Sequence, residues 1–417
     1  MQPLYVGLDI DRKNIEISCV DQTGNLISKH LSVPNDASGA ETMAEHIKHL
    51  MDQGNYSDVV VGLESTSVYG FHIQRFLSCC PQLKVPVSSI IVFPPKLISR
   101  FRDSMNVAHR KNDKVDSVTI AYKLRSGPMP NSNVMSPEVL ALQRLTRYRF
   151  HLMQSLCREK CYCSSIVFLK FSGLCQQEVF SDNFGTTALQ VLTEFMTLDD
   201  IAARPLDDLV ELLNKYGKNH FSDPEATAVA LKQAAQISYR LEPPIDQAVD
   251  RVFKTCADNI RYLEQHLKSL DKLIEKELIA FKNEATCLTS VPGVGPVTSA
   301  GIIAEIGDIK RFNSESSLAK YAGLTWSEHQ SGDFTAEDTK LQRAGNTYLR
   351  YYLIQAVDQM RKRIPEYQEY YARKFSETRT HKHHRALVLS ARKAVRLFFH
   401  LLREEQLYSP TRKGDDI

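Results

Sequence analysis

The chain has 417 residues, 43% of them hydrophobic and 24% charged, with a formal net charge of +3. That length allows two or three domains at roughly 100–200 residues each, and that composition excludes a disordered chain. Nine cysteines without a spaced framework argue against a disulfide scaffold; with no apolar run of about 18 residues and no basic leader, the expected location is the cytoplasm, with no membrane partner.

In chain order, residues 4–10, 14–20 and 26–33 read as strands, with Gln22-Thr23-Gly24-Asn25 turning between the second and third. A helix is expected over 37–51, a strand over 58–64, a helix over 67–77 and a strand over 89–93. Three antiparallel strands followed by βα units predict an α/β sheet of RNase H-like (RuvC-like) type for residues 1–131. Pro128, Pro130, Asn131 and Ser132 read as a linker, and Ser136-Pro137-Glu138 as a capped helix start. Residues 132–284 are all-α in pattern. Within them Val249, Val252, Cys256, Ile260, Leu263, Leu267, Leu270, Ile274 and Leu278 recur every three or four residues. This predicts a long antiparallel hairpin or a coiled-coil arm, packed within one chain or against a second. Residues 285–417 are expected to form a mainly helical C-terminal domain.

Chemistry-bearing residues fall in both halves. Asp9 ends the first strand and Glu64 a later one, while Asp113 and Asp116, three apart at a helix start, share a face. Four hard oxygen donors suit Mg²⁺ or Mn²⁺, and two such ions about 4 Å apart clamp the attacking and leaving oxygens of a phosphodiester. Each acid alone has a plainer explanation, as a turn cap or a partner of a helix dipole. Asp11 also competes with Asp9, since residues two apart in a strand share a face. The ordered set carries the reading.

Downstream, Pro292-Gly293-Val294-Gly295 before an apolar helix resembles a helix-hairpin-helix, in which the amides of Gly293, Val294 and Gly295 hold a nucleic-acid phosphate. The alternative is an ordinary interhelical turn. Ser331, in a polar Ser-Gly loop, is the candidate nucleophile; Ser290, Ser299 and Ser327 compete with it, and Arg343 and Arg350 are candidates to stabilise a pentacovalent phosphorus. From Lys340 to Ile417 there are 17 Lys and Arg against 8 Asp and Glu, so this end suits a polyanion. Lys382 and Arg385, beside His381, His383 and His384, read as a phosphate-facing patch in preference to a metal site. Cys157, Cys161 and Cys163 read as buried thiols.

With these residues in place, the chain resembles the insertion-sequence transposases of the one-ten type, which are related to Piv-type DNA invertases. The resemblance rests on Val6-Gly7-Leu8-Asp9, Glu64-Ser65-Thr66 with Tyr69, Asp113-x-x-Asp116, the Pro-Gly-Val-Gly hairpin, Ala322-Gly323-Leu324, Ser331-Gly332 and Gly345-Asn346-x-x-Leu349-Arg350. It implies a DNA transposase or recombinase in which Asp9, Glu64, Asp113 and Asp116 hold divalent metal and Ser331 forms a covalent phosphoserine. It further implies a bridge RNA that pairs with donor and target DNA, delegating specificity to base pairing. A dimer of dimers, with acidic and serine domains from different subunits, completes what it implies. Two positions depart from the family: Ser67 stands where glycine is usual and Trp326 where proline is usual, the Trp being expected in the core.

Three other readings compete. A metal-dependent junction resolvase would use the four acids for hydrolysis and leave Ser331 idle. The opening Val6-Gly7-Leu8-Asp9-Ile10 also resembles the start of an actin-like sugar kinase or ATPase, a fold that needs further Gly-rich phosphate loops. A non-catalytic nucleic-acid scaffold is the third.

Overall fold

The computed structural model describes residues 2–410 apart from 55, 66–67, 84–88, 106–112, 128–134, 195–196, 219–220, 327–329, 332–333, 336–340 and 342–344; of 113, 114, 330, 331, 334 and 335 it describes the backbone alone. The chain divides into two compact units, Met1–Ser136 and Pro137–Ile417.

The first unit runs β1 (Pro3–Ile10), β2 (Asn14–Val20), β3 (Leu31–Pro34), α1 (Ala37–Gly54), β4 (Asp58–Glu64), α2 (Phe71–Cys79), β5 (Ile90–Phe93), α3 (Pro95–Ser104) and α4 (Asp113–Arg125). The five strands form one sheet in the order β3-β2-β1-β4-β5. β1 is antiparallel to β2 and parallel to β4, which is parallel to β5. Strand alternation sends Leu4, Val6, Leu8 and Ile10 into a core with Met43 and Ile47 of α1 and Ile73 and Leu77 of α2. The opposite face of β1 and β4 carries Gly7 and Gly62, and α4 lies on it. A Cβ at Gly7 would stand 2.0 Å from the Ser117 carbonyl oxygen, and one at Gly62 would stand 2.9 Å from the Leu124 side chain. Ile120 and Leu124 of α4 then close a second core with Ile91, Phe93 and Ile98.

Two expectations change here. Of residues 26–33 only 31–33 lie in a strand, β3, with Leu26 making a single bridge to Val20; between them the His30 ring turns onto the Glu16 carboxylate. The helix expected from 67 begins at Phe71.

The second unit contains α5 (Pro137–Lys170), α6 (Thr186–Glu194), α7 (Leu198–Ala203), α8 (Leu206–Gly217), α9 (Pro224–Ile237), α10 (Pro243–Glu277), α11 (Lys282–Thr289), α12 (Pro296–Ile306), α13 (Glu315–Tyr321), a hairpin of β6 (Gln330–Ser331) and β7 (Phe334–Thr335), α14 (Thr347–Met360), α15 (Pro365–Glu377) and α16 (Lys382–Arg403). Ion pairs Arg149–Asp271, Lys160–Glu264 and Lys170–Asp250 descend along α10 as they ascend along α5, so the two long helices are antiparallel. The apolar stripe of α10 packs within the chain against α5. Val249, Cys256, Ile260, Leu267, Leu270, Ile274 and Leu278 are buried, while Val252 is exposed. One core extends from Leu142 to Leu402.

Of the three α5 cysteines only Cys163 is buried, and burial pushes its thiol up to about 12. Cys157 and Cys161 are exposed, because they project from the side of α5 away from Leu152, Leu156 and Cys163, which enter the core. Trp326 is half-buried and bridges Leu341. No helix among the described residues is long and apolar enough to cross a membrane.

Candidate active site

Sheet register sets the acidic residues side by side. Gly7 pairs with Gly62 and Leu8 with Leu63, so one step further along the parallel ladder Asp9 stands beside Glu64. On its other side Asp9 pairs with Glu16 of β2. All three side chains leave the face on which Gly7 and Gly62 admit α4, and Ser117 of that helix is fixed to the sheet by a 2.8 Å hydrogen bond between its Oγ and Ser18 Oγ. That docking delivers Asp116 to the same place. Asp9, Glu16, Glu64 and Asp116 line one cleft of about 590 Å³, together with Tyr69, Lys96, Ser99 and Arg102.

Asp11 also lines this cleft, yet its Oδ1 accepts the backbone amides of Lys13 and Asn14 at 2.5 and 2.6 Å. It is the cap of the β1–β2 turn, which separates it in role from Asp9. Asp113 begins α4, and its side chain lies outside the described residues. Glu16 is already engaged: Ser32 Oγ donates to its Oε1 at 2.6 Å and His30 contacts its Oε2. The Asp116 carboxylate pairs with Arg102. Among the described residues no three His, Cys, Asp or Glu side chains stand close enough together to hold a metal ion. In kind, however, Asp9, Glu64 and Asp116 fit a hard divalent cation, since every donor is a carboxylate oxygen and none is a thiolate or imidazole.

In the second unit Ser331 occupies the last paired position of β6, opposite Phe334; its side chain, and the whole of Arg343, lie outside the described residues. Around this hairpin the chain leaves and re-enters through a narrow neck. A Cβ at Gly345 would stand 2.5 Å from the Gly323 nitrogen, and the Asn346 amide donates to the Tyr321 carbonyl at 2.7 Å. Arg350 donates to the Ala322 carbonyl at 3.2 Å. Asn346 caps α14 by accepting from the amides of Tyr348 and Leu349, both at 3.0 Å. Its Nδ2 donates to Glu305 at 2.6 Å and to the Tyr321 hydroxyl at 3.1 Å.

Glu305 is fully buried on α12 and takes two bonds from Arg147, 2.7 and 2.9 Å. Burial works against the Arg147 charge, but the bond to Glu305 outweighs it and raises the guanidinium pKa. Sequence reasoning missed Glu305 and Arg147, because nothing local marks an acid inside an apolar helix as partnered from 158 residues away.

The Pro292–Gly295 turn rests on the core through Val294, while Pro292 and Gly295 are exposed. Val294 is buried, and Gly293, at φ +100°, packs so closely on α14 that a Cβ would lie 2.8 Å from the Gln359 carbonyl carbon. Gly295 opens to free space at the start of α12. Of the competing serines, Ser299 is fully buried, whereas Ser290 Oγ donates to Cys287 and accepts the Tyr408 amide; Ser327 lies outside the described residues. Lys382 and Arg385 are exposed at the start of α16, where His383 bonds the Tyr371 hydroxyl at 2.6 Å.

Residues 6–171 match the DEDD transposase domain family named for IS110. Residues 285–372 match the transposase family of IS116, IS110 and IS902. An uncharacterized 44.8 kDa protein of insertion element IS116 from Streptomyces clavuligerus is 23% identical over 98% of this chain and 96% of its own length. An uncharacterized 42 kDa protein of insertion element IS900 from Mycobacterium paratuberculosis is 26% identical over 56% of this chain and 57% of its own. The pilin gene-inverting protein of Moraxella bovis is 28% identical over 36% of this chain and 47% of its own. Two domain matches in order along one chain, and a relative aligned over nearly its whole length, put this protein in the IS116/IS110/IS902 family of insertion-element transposases.

Proposed function

We propose that this DNA transposase cuts and rejoins DNA through a covalent phosphoserine at Ser331, assisted by a divalent ion, Mg²⁺ or Mn²⁺, at Asp9, Glu64, Asp113 and Asp116. The observation that carries the reading is the convergence of acids from β1, β4 and α4 on one cleft. The strand order β3-β2-β1-β4-β5, with the first three antiparallel, supports an RNase H-like fold for this unit. When bound, the ion polarises the scissile phosphate and stabilises charge on its oxygens. The serine forms the Oγ–P bond as the bond from phosphorus to one flanking deoxyribose oxygen breaks, and that oxygen takes the proton the serine gives up. Rejoining reverses this with a new deoxyribose hydroxyl, so the ester keeps the energy that hydrolysis would lose.

Burial of Ser299 and the engagement of Ser290 favour Ser331 as the nucleophile. Gly295 at the α12 N-terminus, within the helix-hairpin-helix read at Gly293, Val294 and Gly295, is our choice for a sequence-independent phosphate contact. Lys382 and Arg385, exposed at the start of α16, and Arg343, which follows Ser331 by 12 residues in the sequence, are further phosphate contacts in this reading; Arg350 contributes through the neck. A bridge RNA as guide is part of the proposal, supported by family membership and the basic C-terminal quarter. A dimer of dimers is supported by Ile245, Val252 and Leu273, exposed along α10, and by Ile279, exposed just after it.

The test supplies the element-end DNA and RNA transcribed from the DNA flanking the gene. Wild type in Mg²⁺ or Mn²⁺ is expected to form a denaturant-resistant protein–DNA adduct, and Ser331→Ala to lose it by a factor of about 10³ or more. Strand cleavage that survives Ser331→Ala but not Asp9→Asn would assign the protein to hydrolysis by the acids alone.

A further inference from the structure

The acidic cleft has a second, basic wall that the metal reading leaves without a task. Pro94 and Pro95 start α3, and Ile98 anchors it in the core with Phe93 and Ile120. Lys96, Ser99 and Arg102, three residues apart, consequently line the same cleft as Asp9 and Glu64. Arg102 crosses to the acidic side and pairs with Asp116; the two side chains are 22% and 12% exposed.

This pairing conflicts with metal binding. A carboxylate held by a guanidinium shares its lone pairs, and a divalent ion beside it adds like charge at short range. The ion and Arg102 therefore compete for Asp116. A displaced guanidinium sits on a long side chain within a cleft whose substrate is a phosphodiester, and its planar fork matches phosphate oxygens. We infer that Arg102 is a two-position residue: bound to Asp116 in the protein alone, and bound to a phosphate oxygen of the DNA once a divalent ion takes Asp116, with Lys96 as a second phosphate contact. The inference rests on the metal-site reading above. It makes metal and DNA binding mutually reinforcing, because each occupies what the other frees.

The test uses the full-length protein. Mn²⁺ binding without DNA is followed by the electron-spin signal of the free ion in wild type, Arg102→Ala, Arg102→Gln and Lys96→Ala. Loss of the competing cation is expected to tighten Mn²⁺ about five- to tenfold in both Arg102 variants, the net scale of one ordinary hydrogen bond, and to leave Lys96→Ala within about twofold. Binding of a mixed-sequence DNA duplex is then followed by anisotropy with and without Ca²⁺. Wild type is expected to bind more tightly with the ion. Arg102→Ala should bind about tenfold more weakly in its presence, with the slope of log affinity against log salt reduced by about one.

Opposite signs for metal and DNA are the signature, and a merely structural ion pair would not produce them. Wild type that binds Mn²⁺ with the same affinity as both folded Arg102 variants overturns the inference and leaves the metal site standing. An unchanged DNA affinity and salt slope in Arg102→Ala removes the phosphate contact. Wild type that does not bind Mn²⁺ overturns the metal-site reading, and this inference falls with it.

Discussion

The acids and the serine are held by opposite means. Asp9 and Glu64 end paired strands, and Asp116 belongs to a helix pressed onto the same sheet through two glycines, so the ladder itself sets their spacing. Ser331 stands on a two-residue strand in a segment fastened at its neck by Gly323, Gly345, Asn346 and Arg350. The acids are fixed by register and the segment of Ser331 by a clamp. Sites on regular elements tolerate little backbone change, whereas a clamped loop depends on residues distant from its tip.

The clamp is where a single change should cost most. Glu305→Ala removes the acceptor for both Arg147 and Asn346. Taking one partner from a buried ion pair costs about 3–5 kcal/mol, softened here because the Arg147 side chain is 31% exposed. Urea unfolding followed by Trp326, the chain's only Trp, should show this loss; a change below about 1 kcal/mol, the range of a surface pair, would mean the network does not hold the neck. Asn346→Ala, which loses the cap of α14 and one Glu305 bond, should cost about 1–2 kcal/mol by the same probe.

The sheet-borne acids are displaced through the glycines beneath α4 instead. Gly7→Ala drives a methyl group into the α4 backbone, with the Ser117 oxygen 2.0 Å and the Ala121 nitrogen 2.5 Å from the new Cβ, so α4 must lift and carry Asp116 with it. A loss of about 2–3 kcal/mol is expected, together with loss of strand joining. Gly62→Ala meets the Leu124 side chain, which can shift, and should cost about 1 kcal/mol. Equal losses at the two positions, measured by chemical denaturation, would contradict the seating of α4 described above.

The same contrast explains what was legible in the sequence. Strand alternation in residues 4–10 and 58–64 located Asp9 and Glu64 because their surroundings are local and periodic. The Pro-Gly-Val-Gly turn and the start of α5 were marked by their own residue types. Glu16 was within reach: a short turn at Asp11–Asn14 pairs Asp9 with Glu16, and period-two counting puts it on the same face. Arg102 was not, since α3 begins at a Pro-Pro pair after a short strand and its partner Asp116 lies beyond an interval that carries no periodic signal. The motif Gly345-Asn346 does not itself disclose what these residues do in the fold, namely the packing of Gly345 against Gly323 and the helix cap of Asn346.

The smallest expected effect concerns pH and the arm that bears the clamp. Burial pushes the Asp250 carboxyl up, but Lys170 and Lys254 outweigh it and hold it below its ordinary value. Asp358 of α14 is held low in the same way, with Arg361 and Lys362 overcoming burial. A folded-state pKa below the unfolded one means that the stabilisation is complete above the unfolded carboxylate value of about 4 and disappears as pH falls through the lower folded value. Thermal unfolding of the second unit should therefore be insensitive to these two groups from neutrality down to about pH 5 and lose their contribution below about pH 4. Asp250→Asn should lower the melting temperature at neutral pH and flatten the acid limb. An acid limb that keeps its slope in Asp250→Asn would place the acid sensitivity in other carboxylates, Asp358 first. The two outcomes separate Asp250, which belongs to the row of ion pairs along α5 and α10, from Asp358 on α14.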